Sequence, residues 1–421
     1  MTNIVDYFQF YCDICAKIGF DLKRNMTERL YLNNSWIIEF RAKVTEISKT
    51  DEGFNVILNS SAFYPESGGQ LHDIGTLNGK KVKRVLDNEK GDIVHIVDNW
   101  DGVIGDEVIG IIDKARRLDN MRKHTGQHIL SRALIEIVDA ETVSSRLGEI
   151  ESTIELSKGN IESDILQKAE DLANDIILQN IPVKIDYYGR EELATLPIRK
   201  IPDREGKFRI VQVGDFDYTA CGGTHCERSG EVGLVKIVGQ EKLRGHLRII
   251  FLAGRQALND YIEKHNEITK ITAKLTCHFR DLGRSVEKLA EQNSLQRREI
   301  SFLQGRMSSF EIRELIVSAP EVCGIKAVIA RYNNQDMKIL KDTAMKLAEQ
   351  FSVIMALLVD DKVAIAVSPG IKLSASDLAK IIIQKIGGKG GGGQSFAQVG
   401  GIPSENSRHF SGLQFPDTMT K

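Results

Sequence analysis

The pattern of hydrophobic and polar residues changes several times along the chain. The first pattern is the alternation typical of short strands. From about Trp36 to Val108, alternating and β-branched runs are separated by turn residues such as Asn78-Gly79. Turns that recur at intervals of roughly eight to twelve residues are typical of a small β-barrel or sandwich. We therefore predict a small β-barrel domain over residues 26–110.

Helical spacing replaces this alternation at Ile111 and continues to Val138, which predicts a long helix. The segments that follow alternate between the two patterns. The predicted helices are Ile161–Gln179 and Glu191–Leu196, and the predicted strands are Ser152–Leu156, Val183–Tyr188, Phe208–Val213, Val232–Gly239 and His246–Ala253. Helices mixed with antiparallel strands predict an α+β domain, which spans residues 111–255.

Residues 256–315 contain no proline, and their apolar side chains recur every three or four positions. This region is predicted to form a helical hairpin or coiled coil, with Gly283 as one candidate break. Residues 316–421 return to alternating helices and strands, which predicts a C-terminal α/β domain. The predicted fold class is therefore α+β multidomain, with a barrel, an α+β domain, a helical region and a glycine-rich α/β domain in that order.

The C-terminal domain contains the run Gly387-Gly-Lys-Gly-Gly-Gly-Gly-Gln394. Glycine amides beside Lys389 could cradle a phosphate, although the run matches neither a Walker A motif nor a dinucleotide fingerprint. A flexible linker is the alternative interpretation.

Residues 1–25 are the hardest to interpret. Apolar residues recur there at helical spacing, and the chain then resumes at Met26-Thr-Glu-Arg. We treat residues 1–25 as a leader, and our hypothesis is that Met26 is the biological initiator.

Composition narrows the class of protein. The 421 residues carry a formal net charge of −2, so binding of nucleic acid would depend on local basic patches. Six cysteines in a chain of this length do not form a disulfide framework, which favours a reducing, cytoplasmic setting. No apolar run reaches the length that spans a bilayer, so we predict no membrane partner.

Two motifs almost a hundred residues apart predict a metal site. His124 and His128 are four positions apart on the predicted long helix and therefore share one face. Cys221 and His225 have the same separation, but two glycines lie between them, so a tight loop is expected. Three imidazoles and one thiolate suit tetrahedral zinc. The helix lacks the glutamate that follows the first histidine in metalloproteases, which argues against that class.

The β domain contains a further conspicuous loop, Phe63-Tyr-Pro-Glu-Ser-Gly-Gly-Gln70. Its paired glycines would allow a mobile lid or a close backbone approach, and an ordinary hairpin connection is the alternative.

Together, these motifs resemble the editing domain that alanyl- and threonyl-tRNA synthetases share. With the loop ending at Gln70, the segment Arg228-Ser-Gly-Glu-Val-Gly233 and the terminal glycine run, the chain is similar to free-standing alanyl-tRNA editing proteins of the long AlaX type over residues 26–421. The resemblance implies a zinc-dependent deacylase that hydrolyses serine esters of tRNA(Ala), with glycine esters as a second candidate substrate and one zinc ion per chain.

By the same resemblance, His124, His128, Cys221 and His225 would be the metal ligands, and Gln70 and Ser144 would join the two helical histidines in catalysis. The implied substrate-binding residues are Gly68, Gly69, Gln70, Thr142, Ser144 and Ser145. We favour Ser144 as the hydroxyl that senses serine. Cys226 departs from the family pattern; it is treated as a neighbour of the site that could replace a ligand.

The helical region and the C-terminal domain would bind the body of the tRNA and support a homodimer. The basic residues that could contact phosphates are Lys242, Arg244, Arg248, Lys385 and Lys389, and a solvated surface is the alternative for each. Two rival functions remain open: a non-enzymatic tRNA-binding protein with structural zinc, and a deacylase of Ser-tRNA(Thr).

Overall fold

The computed structural model describes residues 26–410 except 201, 202, 204, 323, 334, 408 and 409. The predicted leader, residues 1–25, lies outside the described residues. The chain divides into two compact units, one ending at Ile268 and the other beginning at Thr269.

The first unit begins with a closed β-barrel, as the turn spacing predicted. Its elements are β1 (Glu28–Arg29), α1 (Leu30–Asn33), β2 (Glu39–Thr50), β3 (Gly53–Leu58), β4 (Ser60–Ser61), β5 (Gly75–Leu77), β6 (Lys80–Asp87), β7 (Ile93–Val97) and β8 (Glu107–Ile112). The barrel closes in the order β2–β3–β7–β6–β5–β8. Its interior is filled by alternate apolar residues such as Val44, Val56, Val85 and Val97.

A long helix follows the barrel and carries the first metal motif. Helix α2 is Lys114–Val138, so the predicted start at Ile111 was wrong: Ile111 pairs with Glu39 in the barrel. The Asp113 carboxylate caps the helix by accepting from the Arg116 amide at 2.9 Å. Asp139 ends it in the left-handed conformation.

Two antiparallel sheets complete this part of the fold. Their elements are β9 (Thr142–Leu147), β10 (Ser152–Leu156), α3 (Ser163–Leu178), β11 (Val183–Tyr188), α4 (Arg190–Leu193), β12 (Phe208–Val213), β13 (Asp217–Ala220), β14 (Val235–Lys242) and β15 (Leu247–Ala253). One sheet has the order β14–β15–β10–β9 and the other β11–β12–β13. The predicted strand at Val232 begins three residues late, because Ser229–Val232 forms a 3₁₀ turn.

A buried ion pair joins helix α2 to Asp73, three residues after the loop that ends at Gln70. The Arg117 guanidinium contacts Asp73 at 2.5 Å and donates to the carbonyls of Ser35 and Ala62, both at 2.6 Å. Neither charged side chain is exposed to solvent. Because removal of one partner would leave a buried charge, this pair specifies how the barrel loop sits on the helix.

Two helices follow, α5 (Arg255–Leu275) and α6 (Leu282–Ser318), with the 3₁₀ turn Phe279–Asp281 between them. The break lies before Gly283, at Thr276, which adopts a φ of 50°. Gly283 instead belongs to the first turn of α6. The hairpin or coiled-coil arrangement stays a prediction.

The second unit contains a sheet covered by helices. Its elements are β16 (Glu321–Val322), β17 (Ile325–Tyr332), α7 (Met337–Ala348), β18 (Val353–Val359), β19 (Lys362–Val367), α8 (Ala375–Ile386), β20 (Lys389–Gly392), β21 (Phe396–Gly400) and α9 (Ser404–Ser407). The strand order is β16–β17–β18–β19–β21–β20. Strands β18 and β19 are buried along nearly their whole length.

The glycine run is not a flexible linker, which corrects that interpretation; a phosphate-binding role stays a prediction. Residues Lys389–Gly392 form an edge strand paired with Phe396–Gly400. A Cβ atom on Gly390 would lie 2.0 Å from the Gln398 carbonyl oxygen, and one on Gly392 would lie 2.2 Å from that of Phe396. These glycines therefore permit close strand pairing.

Among the described residues, no helix combines the length and apolar character needed to cross a membrane.

Candidate metal centre

The four residues of the two sequence motifs come together in the first unit. One ligand atom from each of His124, His128, Cys221 and His225, here called the metal tetrad, lies within 4.8 Å of every other. His124 and His128 stand one turn apart on α2, and their ring centroids are 5.1 Å apart. Cys221 and His225 come from the loop after β13.

A glycine makes the close approach of this loop possible. A Cβ atom on Gly223 would lie 2.1 Å from Cε1 of His124, a separation that no side chain could accept. The Gly223 amide donates to the Cys221 sulfur at 3.3 Å, which folds the loop around its own ligand atom.

The donor set fits zinc. The Cys221 sulfur lies 3.4 Å from Nε2 of His124 and 3.4 Å from Nε2 of His225. Tetrahedral zinc with its usual bond lengths to nitrogen and sulfur separates two such atoms by about 3.5 Å. The tetrad therefore has both the chemistry and the spacing of a zinc site.

Polar side chains face the outward nitrogen of each ring, and those facing His124 and His225 lie within hydrogen-bond distance. Nδ1 of His124 lies 2.7 Å from the Gln70 side-chain oxygen, which also accepts from the Thr224 amide at 3.2 Å. Nδ1 of His225 lies 3.2 Å from the Thr125 hydroxyl. Nδ1 of His128 faces the Asp217 carboxylate at 3.6 Å. Since an amide oxygen can only accept, His124 must carry its proton on Nδ1, which leaves Nε2 free to bind metal.

The protonation equilibria of Cys221 and His225 favour their ligand forms. Burial opposes ionisation of Cys221, but the three neighbouring histidines outweigh it and hold the pKa of the thiol well below its usual value. Burial, with the charge of His124, lowers the pKa of His225 to about 3. Thiolate and neutral imidazole are the forms that coordinate metal.

Asp217 and His128 each shift the pKa of the other. Burial alone would lower the pKa of His128, but Cys221 and Asp217 outweigh it and raise that pKa. Burial disfavours the Asp217 carboxylate, yet contacts from His128 and Arg199 lower its pKa to about 2. Asp217 is therefore ionised throughout the physiological range.

The tetrad borders a cavity of about 520 Å³. The residues that line it are Arg29, Tyr31, Leu32, Tyr64, Ser67, Gly68, His124, Tyr187, Lys207, Arg209, Ala220, Cys221, Gly222 and Gly223. This volume falls in the range that small ligands occupy in proteins.

The paired glycines of the loop ending at Gln70 allow a close backbone approach, one of the two predicted uses of that loop. Gly68 lines the cavity, but Gly69, with a φ of +80°, packs where a Cβ would lie 2.3 Å from the Ser145 carbonyl oxygen. Gln70 is fully buried and donates to the Thr224 hydroxyl at 2.9 Å. Gln70 therefore contacts a candidate metal ligand, whereas the prediction had it contact substrate.

The three hydroxyl residues after α2 lie on strand β9, outside the cavity wall. The Ser144 hydroxyl donates to Glu155 at 2.9 Å on an exposed face, so the structure does not bring the favoured residue to the site. Ser145 contributes its backbone to the packing of Gly69. Thr142 donates to the Ser131 hydroxyl at 2.8 Å, and Ser131 belongs to α2.

The predicted phosphate-contacting residues have different surroundings. Arg248 is paired with Glu155 at 2.7 Å and Glu241 at 3.2 Å, which offsets its charge. Lys242 and Arg244 are exposed near the β14–β15 turn. Lys385 and Lys389 are exposed at the end of α8 and the start of β20.

Cys226 stays a neighbour of the site. It is 3% exposed, and burial raises the pKa of its thiol to about 12, so it holds its proton.

Sequence reasoning missed Asp217, Thr125 and Thr224. For Asp217 a signal exists, because it lies an even number of positions before Cys221, and residues so spaced in an extended chain point to the same side. Thr125 and Thr224 gave no signal beyond their adjacency to ligands.

Family models match three parts of the chain. The model described as "Threonyl and Alanyl tRNA synthetase second additional domain" matches residues 208–250, which include Cys221 and His225. "tRNA synthetases class II (A)" matches residues 25–116, and the DHHA1 domain matches residues 324–411.

Relatives match over most of the chain. The alanyl-tRNA editing protein AlaX-L of Pyrococcus horikoshii is 31% identical over 390 residues, which cover 89% of this chain and 94% of that protein. The alanine–tRNA ligase of Archaeoglobus fulgidus is 34% identical and that of Caldivirga maquilingensis 30%, each over 88% of this chain. The chain spans 42% of the length of each of these two ligases.

The site and the match to residues 208–250 define the class: an editing domain of the kind shared by threonyl- and alanyl-tRNA synthetases. The chain belongs to the family of alanyl-tRNA editing proteins of the AlaX-L type.

Proposed function

We propose that this protein is a trans-editing deacylase that hydrolyses serine from mischarged tRNA(Ala), with Gly-tRNA(Ala) as a second candidate substrate. As a member of the alanyl-tRNA editing family, it is an aminoacyl-tRNA hydrolase. The observation that carries the proposal is the metal tetrad at the edge of a cavity large enough for the aminoacylated end of a tRNA.

One zinc ion per chain is the proposed cofactor, held by His124, His128, Cys221 and His225. When bound, zinc supplies a Lewis acid that polarises an ester carbonyl and makes water a better nucleophile. Gln70, Asp217 and Thr125 orient the three imidazoles from behind. The cavity wall positions the ester beside the tetrad.

Selection of serine over alanine requires a polar partner for the serine hydroxyl, because alanine then leaves that partner unpaired. Thr142 is our candidate for this partner, because it is the one of the three hydroxyl residues whose hydroxyl is bonded to the helix that bears His124 and His128, although it does not line the cavity. Ser144 lies on the exposed face and serves as a control. Thr142→Val should reduce the ratio of serine to glycine hydrolysis rates; an unchanged ratio would reject the assignment, and Ser144→Ala should leave it unchanged.

The four regions of the chain divide the proposed work between the site and the body of the tRNA. The barrel at residues 26–110 and the editing domain at 111–255 build the site, while the helices of 256–315 and the domain at 316–421 bind tRNA and support a homodimer. Exposed Lys242, Arg244, Lys385 and Lys389 are the proposed phosphate contacts. A cytoplasmic location follows from a tRNA substrate.

The test is hydrolysis of four substrates by the zinc-loaded full chain: Ser-tRNA(Ala), Gly-tRNA(Ala), Ala-tRNA(Ala) and Ser-tRNA(Thr). The proposal expects rapid loss of serine from tRNA(Ala), with alanine spared. Faster hydrolysis of Ser-tRNA(Thr) would favour threonyl-type editing. Hydrolysis of none would leave a tRNA-binding protein with structural zinc.

A further inference from the structure

One ligand of the metal tetrad has a carboxylate behind it. Oδ2 of Asp217 faces Nδ1 of His128 at 3.6 Å, and this nitrogen is buried without a hydrogen-bond partner. The outward nitrogens of His124 and His225 lie 2.7 and 3.2 Å from theirs. Asp217 is 1% exposed, so other groups must hold its charge in place. Whatever holds this carboxylate therefore decides how it meets His128.

Arg199 contacts both oxygens of that carboxylate. Its Nε donates to Oδ1 of Asp217 at 2.5 Å, and its Nη2 donates to Oδ2. The Thr219 hydroxyl also donates to Oδ2, at 3.0 Å. A two-point contact between guanidinium and carboxylate fixes the plane of the carboxylate as well as its distance. Asp217 therefore cannot turn away from His128 without breaking these bonds.

The same guanidinium also reaches the backbone of the ligand. Nη2 of Arg199 donates to the His128 carbonyl at 2.7 Å. This carbonyl belongs to helix α2, whereas Asp217 is the first residue of strand β13. One side chain thus joins the helix that carries the ligand to the strand that carries its carboxylate. Arg199 thereby constrains the separation between the His128 ring and Asp217.

The segment that carries Arg199 is itself anchored. It lies between α4 and β12, and the Arg199 amide donates to the Tyr218 carbonyl of β13 at 3.2 Å. Leu196 and Ile198 pack against buried apolar side chains of α4 and β12. The Arg199 side chain is 13% exposed. Backbone pairing and apolar packing therefore deliver the guanidinium to Asp217.

We propose that Arg199 is a positioning residue for the metal centre, which holds the Asp217 carboxylate towards Nδ1 of His128 so that Nε2 is the nitrogen presented to zinc. The inference rests on the proposed function, because it concerns the zinc ion assigned to the tetrad. A carboxylate can only accept a hydrogen bond, so the proton of His128 is kept on Nδ1. Carboxylates behind a ligand histidine fix its orientation and make it a stronger ligand.

The test is the zinc affinity of the full chain, measured by competition with a chromogenic chelator. We expect Arg199→Met to bind zinc about tenfold more weakly than the unmodified protein, or weaker still. Lysine keeps the charge but not the planar two-point contact, so Arg199→Lys should recover only part of the loss. Arg84→Met is the matched control, because Arg84 also pairs with a carboxylate, that of Glu52 at 3.2 Å, but does so in the barrel.

A spectroscopic measurement separates positioning from a purely structural role. The visible absorption bands of Co²⁺ bound in place of zinc report the geometry of its ligands. The bands of Arg199→Met should shift, whereas those of Arg84→Met should match the unmodified protein. A residue that only stabilised the fold would lower the free energy of unfolding and leave these bands unchanged.

A double-mutant cycle tests whether Arg199 acts through Asp217. Asp217→Asn alone should weaken zinc binding, because an amide replaces the carboxylate behind His128. In that background, Arg199→Met should weaken zinc binding much less than it does in the unmodified protein. If Arg199→Met does not fold, Arg199→Lys provides the same comparison.

Unchanged zinc affinity and unchanged Co²⁺ bands in the Arg199 variants would overturn the inference, as would additive effects in the cycle. An unmodified protein that binds no zinc would overturn it together with the proposed cofactor. Hydrolysis of Ser-tRNA(Ala) is measured on the same preparations. Hydrolysis by the zinc-loaded protein, with zinc affinity independent of Arg199, defeats this inference alone. Zinc affinity that depends on Arg199, without hydrolysis, defeats the proposed function alone.

Discussion

At the scale of single residues, the site depends on which nitrogen of each imidazole is free. Gln70 is central, because its side-chain oxygen faces Nδ1 of His124 at 2.7 Å while its nitrogen donates to Thr224. Partners of this kind commonly change metal affinity by about 10- to 100-fold.

Gln70→Leu should therefore weaken zinc binding by at least about tenfold. Competition with a chromogenic chelator measures the affinity directly. Gln212→Leu is the matched control, because Gln212 also hydrogen-bonds in a partly buried position, to the Tyr188 hydroxyl at 2.6 Å, away from the tetrad. Equal zinc affinity in Gln70→Leu and the unmodified protein would contradict the orienting role.

Buried His95, inside the barrel, should make the free energy of unfolding depend on pH. It is fully buried between the Ser61 hydroxyl at 2.8 Å and the Val56 carbonyl at 3.0 Å, and burial lowers its pKa to about 4. The unfolded chain takes up this proton near pH 6.5, before the folded chain does. The free energy of unfolding should therefore fall as the pH drops from about 6.5 to about 4, by about 3 kcal/mol, and this contribution should not change further below pH 4.

Chemical denaturation at pH 7 and pH 5, compared between the unmodified protein and His95→Gln, isolates this contribution. The variant should show a smaller loss of unfolding free energy between the two pH values. The same loss in both proteins would show that other groups cause it.

At the scale of elements, the loop Cys221–Cys226 must pass close to helix α2. Gly223→Ala should displace His124, since the new Cβ would lie 2.1 Å from its ring, and zinc affinity should fall by about tenfold or more. Gly222→Ala is the matched control, because a Cβ at that position meets nothing within 4 Å. Zinc titration measures the affinity of each variant. Equal zinc affinities of Gly223→Ala and Gly222→Ala would contradict the close approach of the loop to helix α2.

Patterns that depend on local periodicity predicted their elements well. Helix α2 and strand β10 follow directly from apolar spacing. The start of α2 was wrong by three residues because Ile111 and Ile112 suit a barrel strand and a helix face equally.

Features that depend on tertiary contact could not be predicted from local periodicity. The glycine run looks like a loop, but its strand is imposed by pairing with Phe396–Gly400. Gln70 was assigned to the substrate by resemblance, and no local pattern reveals that Thr224, 154 positions later, lies beside it. The alternation of Asp217 with Cys221 could be read from the sequence, but the contact of Asp217 with His128 could not.

At the scale of the whole molecule, the metal tetrad lies in the unit that ends at Ile268, and the proposed tRNA contacts Lys385 and Lys389 lie in the other unit. Replacing both lysines with glutamine should weaken binding of tRNA(Ala) and reduce its salt dependence, because each phosphate contact contributes to counterion release. Hydrolysis of a short seryl ester should not change.

Filter binding across a salt series measures this effect. The control is Lys346→Gln, an exposed lysine near the end of α7. Equal affinity and salt slope in the double variant and the unmodified protein would remove these lysines from the interface.

The central claim is that the metal tetrad catalyses deacylation. The most direct measurement is hydrolysis of Ser-tRNA(Ala) by the full chain before metal removal, after chelation and after return of one zinc ion per chain, with circular dichroism recorded in parallel. The account predicts loss of hydrolysis with the fold retained, and recovery with zinc. Undiminished hydrolysis by the metal-free protein, or unfolding on chelation with no hydrolysis by the zinc-loaded chain, would contradict it.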